Sequence, residues 1–504
     1  MEIYDLFYKW VPVYVRLPVL FILLLVILTA NGVFLGNITD MYNSFGEYAE
    51  PYTQASNALY IGMGLGLMVE SRLKQRFSSK SLLLYGLSMM FIFNAICATT
   101  EDTSVMIAAC FLLGFTKITA LVEVYIVWTF IWSKQGNRAR FYPFVYGTAL
   151  AGLYFVTWLT TSMAYHFNWR YAYIIVLISI SGCLMLTMIF VESHPLKKRI
   201  PLYQVDWIGL ALLASVMMLF DYAVVYAKVE DWLESKKIIL FLFATVIALL
   251  FFIKRQLSIK RPLFDLRLFQ VSSFRIGLCY FFLLGIFVPS TFQSVFITGV
   301  LHFESIRNAE VNLYLIPGVA VGSVVCYFWY LKNLDPEPLI FIGFLSFVLY
   351  HIIMYNSFAT DFKMEDFLLP SILKGFAMAV LYIAIGLYTT NKLALVSVVS
   401  AAGMMILIRS FVGSGTFAAF YNYMLYAQRN RHFAKLSSMT EAGDFLTRQQ
   451  GTTAEFYKNL QLQSILTASK EISAYIIISG LLLLAVILGT YLYQKIKGQY
   501  SAAS

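Results

Sequence analysis

Long apolar runs alternate with short polar segments along the whole chain. A transmembrane helix needs about 20 predominantly apolar residues, and about fourteen runs in this sequence meet that requirement. Their ranges are 17–39, 52–70, 81–100, 104–131, 141–164, 171–191, 206–227, 236–253, 273–299, 308–330, 337–357, 366–390, 394–424 and 471–494. The pattern therefore predicts an all-α, polytopic membrane protein that crosses the bilayer about fourteen times.

The short loops between these runs alternate in charge. Cytoplasmic loops of membrane proteins carry an excess of Lys and Arg. Every second loop here is basic, with Arg72, Lys74, Arg76 and Lys80, then Lys134, Arg138 and Arg140, then Lys197, Lys198 and Arg199, then Lys254, Arg255, Lys260, Arg261 and Arg267. The intervening loops are neutral or acidic, apart from Lys236 and Lys237. This alternation predicts that both termini are cytoplasmic.

One connection is much longer than the others, at residues 425–470. It contains both charge signs and helix-compatible stretches, and the topology places it on the outer side. Long loops often carry function or bind partners. Two interpretations stay open, a partner-binding segment and a solvated helical hairpin without a partner.

Composition excludes several classes of protein. Hydrophobic residues make up 60% of the 504 residues and charged residues 13%, whereas soluble domains carry about 25% charged residues. The net charge of +10 is explained by the basic loops, so a nucleic-acid partner is not expected. The five cysteines lack C-x-x-C spacing, the five histidines are scattered, and there is no phosphate-binding loop. We therefore expect no metal, no cofactor, no ATP drive and no enzymatic activity.

Two glycine-rich segments recur far apart in the chain, at residues 60–66 and 314–322. Glycine at such spacing lets membrane helices approach closely. Repetition of this kind is typical of secondary transporters built from two related half-bundles.

Four segments in chain order resemble the fourteen-helix drug:proton antiporter branch (EmrB/QacA type) of the major facilitator superfamily. They are N-W-R-Y at 168–171, V-D-W-I-G-L at 205–210, R-P-L-F-D-L-R-L-F at 261–269 and L-I-R-S-F-V-G-S-G at 407–415. The resemblance implies the major facilitator fold with alternating access. It also implies an N-terminal six-helix bundle at 1–195, two inserted helices at 196–262 and a C-terminal six-helix bundle at 263–504.

The chain departs from the branch at several motifs. In the basic loop after the second span, which resembles the branch's gating loop, Gln75 replaces an expected Asp and Ser78 an expected Gly, while Arg72, Lys74 and Arg76 keep the basic charge. The helix-five signature G-P-x-x-G-G is absent at 156–161. Cys110 stands where an Arg is expected, and Asn31 stands where the first span would carry an acid. The sequence is identified as a divergent member, with Arg72, Lys74, Gln75 and Arg76 as gating candidates.

A few ionisable residues lie within the apolar runs. Placing a charge inside a membrane costs free energy, so such residues usually mark functional sites. Lys117 lies seven positions after Cys110, on nearly the same helix face, and is expected to bind an anionic substrate group or to form a static ion pair. Glu123 is the first candidate for proton coupling, with an interhelical hydrogen bond as the alternative. Arg409, among glycines and serines, is either functional or a packed structural charge. Asn31 completes the candidate set.

Other charges in or near the runs are expected to have plainer roles. Asp221 lies in one of the two inserted helices and is expected to have a local structural role. Asp40 and Glu70 lie near span ends, where we expect them to be hydrated, and Arg72 is assigned to the solvated cytoplasmic loop.

These features predict a secondary-active transporter of a bacterial inner membrane. The leading hypothesis is proton-coupled export of amphipathic or apolar small molecules, with a periplasmic adaptor protein as a further partner at the outward loop. The alternative is uptake or facilitated transport of a specific, anionic metabolite through Lys117. A non-transporting membrane sensor or membrane enzyme is a third hypothesis, which the missing catalytic clusters disfavour.

Overall fold

The computed structural model describes residues 6–132, 137–193, 201–289, 291–393, 395–439 and 453–503. Its eighteen α-helices over these residues are α1 (Val13–Thr29), α2 (Ile38–Phe45), α3 (Glu50–Leu73), α4 (Ser79–Thr99), α5 (Thr103–Trp132), α6 (Arg138–His166), α7 (Trp169–Phe190), α8 (Trp207–Val225), α9 (Lys236–Ser258), α10 (Ser272–Leu284), α11 (Thr291–Val295), α12 (Ser305–Leu313), α13 (Leu315–Leu331), α14 (Glu337–Ser357), α15 (Leu368–Thr390), α16 (Leu395–Ile406), α17 (Ser414–Ser438) and α18 (Thr453–Ala503). Two π-helical turns, Phe296–Val300 and Leu407–Gly413, interrupt this series.

The helices match the predicted spans in order. Among the described residues, eleven helical segments are long and apolar enough to cross a membrane. The shorter apolar helices α1 and α10, and the more polar helix α3, occupy three further predicted spans. The all-α, multi-pass fold is confirmed. The count of fourteen and the division at residues 195 and 262 stay predictions.

Both glycine-rich segments lie where two helices touch backbone to backbone. A β-carbon on Gly62 of α3 would overlap the Phe111 carbonyl oxygen of α5, and one on Gly114 of α5 would overlap the carbonyl of Leu59. The same reciprocal contact joins α13 and α15, where Gly318 meets the Ile372 carbonyl and Gly375 meets that of Leu315. The sequence repeat therefore corresponds to two equivalent close helix crossings.

Buried apolar side chains form two clusters. One is built from residues between 6 and 191, and the other mainly from residues between 263 and 487. Helices of the first group meet the second group along two lines of contact, where α3 packs on α16 and where α6 packs on α12, α13 and α15. At the first contact, Gly403 approaches the Gly64 carbonyl so closely that a β-carbon would lie 2.6 Å from it.

Helices α8 and α9 pack on each other and attach to the rest through α8. Asp206 caps α8, because its Oδ1 accepts from the Gly209 amide at 2.9 Å. The same carboxylate accepts from Arg255 at 2.7 Å and from Gln256 at 2.9 Å on α9. Burial raises the pKa of Asp206, but these hydrogen bonds and the Arg255 charge outweigh burial and hold the pKa below its usual value. The aspartate of the D-W-I-G-L segment thus fixes the start of one helix to the end of the next.

The segment predicted as a long outward loop at 425–470 is helical over its described residues. The continuous helical stretch Ser397–Ser438 has 42 residues. At 1.5 Å per residue it is about 63 Å long, roughly twice the hydrocarbon thickness. Helix α18 begins at Thr453, and it packs against α17 through the His432–Glu471 pair at 2.8 Å and the Phe433–Tyr457 ring contact. The described residues of this segment are thus helical, as its helix-compatible stretches indicate, and the choice between a partner-binding segment and a hairpin without a partner stays a prediction.

Candidate functional site

Lys117 lies deep in α5 and is 1% exposed. The carbonyl groups at the end of a helix have no partner within that helix. The Lys117 ammonium donates to the Leu28 carbonyl at 2.9 Å, to the Ala30 carbonyl at 3.1 Å and to Asn31 Oδ1 at 2.6 Å, all at the end of α1. An ammonium group has three hydrogens to donate, so these three acceptors use all of them. In this arrangement Lys117 fastens α1 to α5, and its predicted role as an anion hook stays a prediction.

A small enclosed cavity adjoins this contact. It has a volume of about 10 Å³, roughly the room for one water molecule, and Thr29, Asn31, Tyr60 and Thr157 contribute to its wall. Asn31, predicted as a substrate or coupling candidate, therefore links Lys117 to an internal space. Thr157 belongs to the segment that replaces the absent helix-five signature.

Glu123 lies six residues after Lys117 on α5, on a different face of the helix, and forms an ion pair with a different lysine. Both of its carboxylate oxygens accept from Lys74 Nζ at 2.9 Å. The Glu123 side chain is 2% exposed and that of Lys74 is 26% exposed. The structure thus brings together the coupling candidate Glu123 and the gating candidate Lys74, a pairing that their spacing in the sequence does not predict.

Glu70 completes this carboxylate–lysine cluster. It lies one helical turn before Lys74 and within electrostatic reach of Glu123. Glu70 lies near the end of a predicted span, where it is expected to be hydrated, and the structure contradicts this expectation. Glu70 is 1% exposed, and neither carboxylate oxygen has a hydrogen-bond partner within the described part of the chain. Packing of α5 over the end of α3 removes Glu70 from water.

The remaining gating candidates have different surroundings. Arg72 lies in the last turn of α3, so its assignment to a solvated loop is wrong. It donates to the Gln204 carbonyl at 2.9 Å and the Pro262 carbonyl at 3.1 Å, which flank the α8–α9 pair. Gln75 is exposed and Arg76 half-buried. Arg72 therefore connects α3 to both ends of the inserted pair.

Arg409 lies in the π-helical turn Leu407–Gly413, between aromatic rings from both clusters of helices. Its guanidinium is 4.6 Å from the centre of the Tyr382 ring on α15 and 5.5 Å from that of the Tyr146 ring on α6. Arg409 Nε has no hydrogen-bond partner among the described residues. π-Helical turns are frequent at functional sites, and this one directs a cation to the α6–α15 contact.

The same contact continues along α6. Tyr154 donates to Met378 Sδ of α15 at 2.9 Å, and Tyr165 donates to Glu304 at 2.5 Å, near the start of α12. We call the α6–α15 contact formed by Tyr146, Tyr154, Met378 and Tyr382, together with Arg409, the tyrosine seam. It lies between the two clusters of helices.

Two further buried charges, Lys374 and Asp221, lie within the predicted spans. Lys374, in the run 366–390, is 5% exposed, and the rule that selected Lys117 would have selected it too. Asp221 of α8, to which the sequence assigned a local structural role, is fully buried and accepts from Asn57 of α3 at 2.8 Å. Within the described ranges, no group of three His, Cys, Asp or Glu residues is placed to hold a metal ion.

Comparison with known proteins gives distant matches. No family model matches the chain. The colistin resistance protein EmrB of Acinetobacter baumannii is 22% identical over 337 residues, which is 62% of this chain and 64% of that protein. The multidrug export protein EmrB of Escherichia coli K12 is 27% identical over 262 residues, or 50% of this chain and 48% of that protein. The chain thus spans about half to two-thirds of the length of these relatives.

Solved structures match over nearly the whole chain. A structure from work on proton-dependent oligopeptide transporters has a TM-score of 0.60 at 12% identity and covers 94% of this chain and 97% of its own. A nucleoside transporter, NupG, has a TM-score of 0.55 at 12% identity, with coverage of 93% and 98%. The chain is a multi-pass membrane protein with the fold of major facilitator transporters. The resemblance to EmrB-type exporters that the sequence predicts is confirmed by the relatives above, at 22% and 27% identity.

Proposed function

We propose that this protein is a secondary-active transporter of a bacterial inner membrane that exports amphipathic or apolar small molecules in exchange for protons. The fold and the similarity to EmrB-type exporters support the class of transporter. The observation that carries proton coupling is the burial of Glu70 with neither carboxylate oxygen hydrogen-bonded in the described part of the structure.

The Glu70–Lys74–Glu123 cluster offers a place to hold a proton. Lys74 already neutralises Glu123 with two hydrogen bonds at 2.9 Å. An additional bare carboxylate on Glu70 would be desolvated and repelled by Glu123, so Glu70 carries a proton when α3 and α5 are packed as observed. Separation of these helix ends would hydrate Glu70 and release the proton. Protonation is thereby linked to the closing of this end of the molecule.

The tyrosine seam offers a surface for the solute. Ligand sites are mostly apolar and aromatic with a few oriented polar groups. Tyrosine faces bind apolar molecules, and Arg409 supplies a cation at the contact that separates in alternating access. Such a surface suits amphipathic molecules better than small hydrophilic metabolites.

Transport into inverted vesicles tests this proposal. We expect wild-type protein to accumulate a fluorescent amphipathic dye when the vesicle interior is acidic, and to lose accumulation when the gradient is collapsed. Glu70→Gln keeps the side-chain shape but cannot release a proton, so gradient-driven accumulation should fall at least about a hundredfold, the lower end of the contribution of a proton-transfer group. Exchange of labelled for unlabelled dye without a gradient should persist.

Asp335→Asn provides the matched control, because it removes an exposed carboxylate. Gradient-driven accumulation that survives both Glu70→Gln and Glu123→Gln would reject this coupling site. Accumulation restricted to right-side-out vesicles would favour uptake instead of export.

We further propose that the hairpin formed by α17 and α18 binds a periplasmic adaptor protein. The predicted topology places the hairpin on the outer side. Its two helices are held together by the His432–Glu471 pair, so they present a preformed surface.

Replacing residues 430–466 by a short flexible linker tests the hairpin. We expect recovery of the co-purified adaptor from the native host to fall at least about tenfold, because most of the contact surface is removed. Dye transport in isolated vesicles should continue, since the tyrosine seam is left intact. Unchanged recovery of the adaptor would refute the role of the hairpin.

A further inference from the structure

Lys374 is a buried ammonium group whose surroundings differ from those of the other buried lysine. It lies on α15, six residues after the helix begins, and is 5% exposed. Its Nζ is 5.2 Å from the centre of the Tyr350 ring. The Tyr350 hydroxyl donates a hydrogen bond to Gln293 Oε1 at 2.6 Å. Tyr350 therefore keeps its proton and provides no anionic partner for Lys374. No hydrogen bond from the Lys374 ammonium to a described residue is present.

Because of the internal repeat, the surroundings of Lys374 can be compared with those of Lys117. Gly114 and Gly375 occupy equivalent close crossings in the two clusters, and Lys117 and Lys374 lie within three residues of them. Lys117 donates to three oxygen atoms. Lys374, at a similar burial, has an aromatic face in place of those oxygens. A desolvated ammonium requires acceptors or a counter-charge, so three hydrogen-bonding positions at Lys374 remain to be filled.

The surrounding helices carry no acid that could fill them. Among the helices that pack on α15, no Asp or Glu occurs in α6, α10, α13 or α16. Helix α14 has only its first residue, Glu337, and α12 has only Glu310, which already accepts from Arg307 at 2.7 Å. The neighbouring ionisable residues are basic. His351 lies within electrostatic reach of Lys374, and Arg409 lies 4.6 Å from the centre of the ring of Tyr382, which is two turns along α15 from Lys374. In α18, Glu471 already accepts from His432 and Tyr475. The interior of this half therefore has an excess of positive charge.

Lys374 also adjoins the tyrosine seam. Residues four apart lie on one helix face, so Lys374, Met378 and Tyr382 form a single stripe along α15. Met378 accepts from Tyr154 of α6, and Tyr382 lies against Arg409. A molecule with an acidic head at Lys374 would place an apolar body along the seam.

We propose that Lys374 binds the acidic group of the transported molecule, so that the substrates are amphipathic anions such as long-chain carboxylates. This assignment rests on the proposed transport function for its physiological meaning, but the binding itself does not depend on a proton gradient. The ammonium donates to the carboxylate oxygens, the Tyr350 ring covers the cation from one side, and the seam contacts the hydrocarbon part.

Equilibrium binding to the purified full-length protein in neutral detergent tests the proposal without transport. The probes are a dansylated undecanoic acid and its methyl ester, which share size and apolar surface but differ in charge. We expect wild-type protein to bind the acid at least about tenfold more tightly than the ester, the effect of one charge-assisted contact. Lys374→Met should remove this preference by weakening the binding of the acid, whereas Lys374→Arg should keep it.

Lys332→Met is the matched control, because the same change is made at an exposed lysine; it should keep the preference. Equal binding of acid and ester by the wild-type protein would overturn the proposal. This comparison needs no variant, so the test holds even if Lys374→Met does not fold. Displacement of the acid by phosphatidylglycerol at the same concentration as by unlabelled undecanoic acid would assign the site to a lipid headgroup and also overturn it. Preference for the acid combined with absent gradient-driven transport would instead reject only proton coupling.

Discussion

Gly62→Leu should abolish accumulation of folded protein in the membrane. A side chain at this position would overlap the Phe111 carbonyl of α5, a backbone atom that cannot rotate away. Helices α3 and α5 would have to separate, and we expect a loss of about 3 kcal/mol or more in the free energy of unfolding. Gly318→Leu should have the same effect at the equivalent α13–α15 crossing. The measurement is the monodisperse fraction after detergent extraction and its thermal midpoint.

Gly182→Leu is the control for both substitutions. A β-carbon at Gly182 of α7 would have no atom within 4 Å, so this variant should match the wild type in yield and midpoint. Wild-type yields of Gly62→Leu and Gly318→Leu would contradict the close crossings.

Lys117→Met should destabilise the protein and stop transport together. Methionine fills the volume of the side chain but leaves the Leu28 and Ala30 carbonyls and Asn31 Oδ1 without their donor. At about 1 kcal/mol for each unsatisfied acceptor, the free energy of unfolding should fall by roughly 3 kcal/mol. Thermal unfolding of the detergent-solubilised protein measures this loss, and Lys332→Met makes the same change at an exposed position.

This experiment also separates the two interpretations of Lys117. A lower thermal midpoint supports the role of fastening α1 to α5. An unchanged midpoint combined with lost transport would show that Lys117 acts on the solute, as the sequence-based hypothesis of an anion hook requires.

The sequence located several important charges but not their partners. Lys117, Glu123 and Arg409 are recognisable because a charge within an apolar run is rare. The oxygens around Lys117 come from the end of α1, the partner of Glu123 comes from the end of α3, and the rings around Arg409 come from α6 and α15. Periodicity relates residues on one helix only, so it cannot show which helices meet.

Hydropathy also misjudged Glu70. Its place near the end of an apolar run indicates contact with water at the membrane surface, but α5 has 30 residues and extends past that point. The carboxylate is therefore covered by a neighbouring helix.

The sequence by itself determined that lipid surrounds much of this protein, that its fold is all-α, and in which order its spans follow one another. It could do so because the bilayer requires apolar helices of nearly fixed length. It also marked the two glycine-rich crossings and the resemblance to drug:proton antiporters. Only the tertiary structure decided that Lys117 is saturated with oxygen acceptors and that Glu123 pairs with Lys74. It also decided that Glu70 is buried beside this pair, and that Lys374 faces an aromatic ring with no hydrogen bond to a described residue. Those properties depend on which atoms of distant segments come within about 3 Å of each other, and helix packing alone sets such distances.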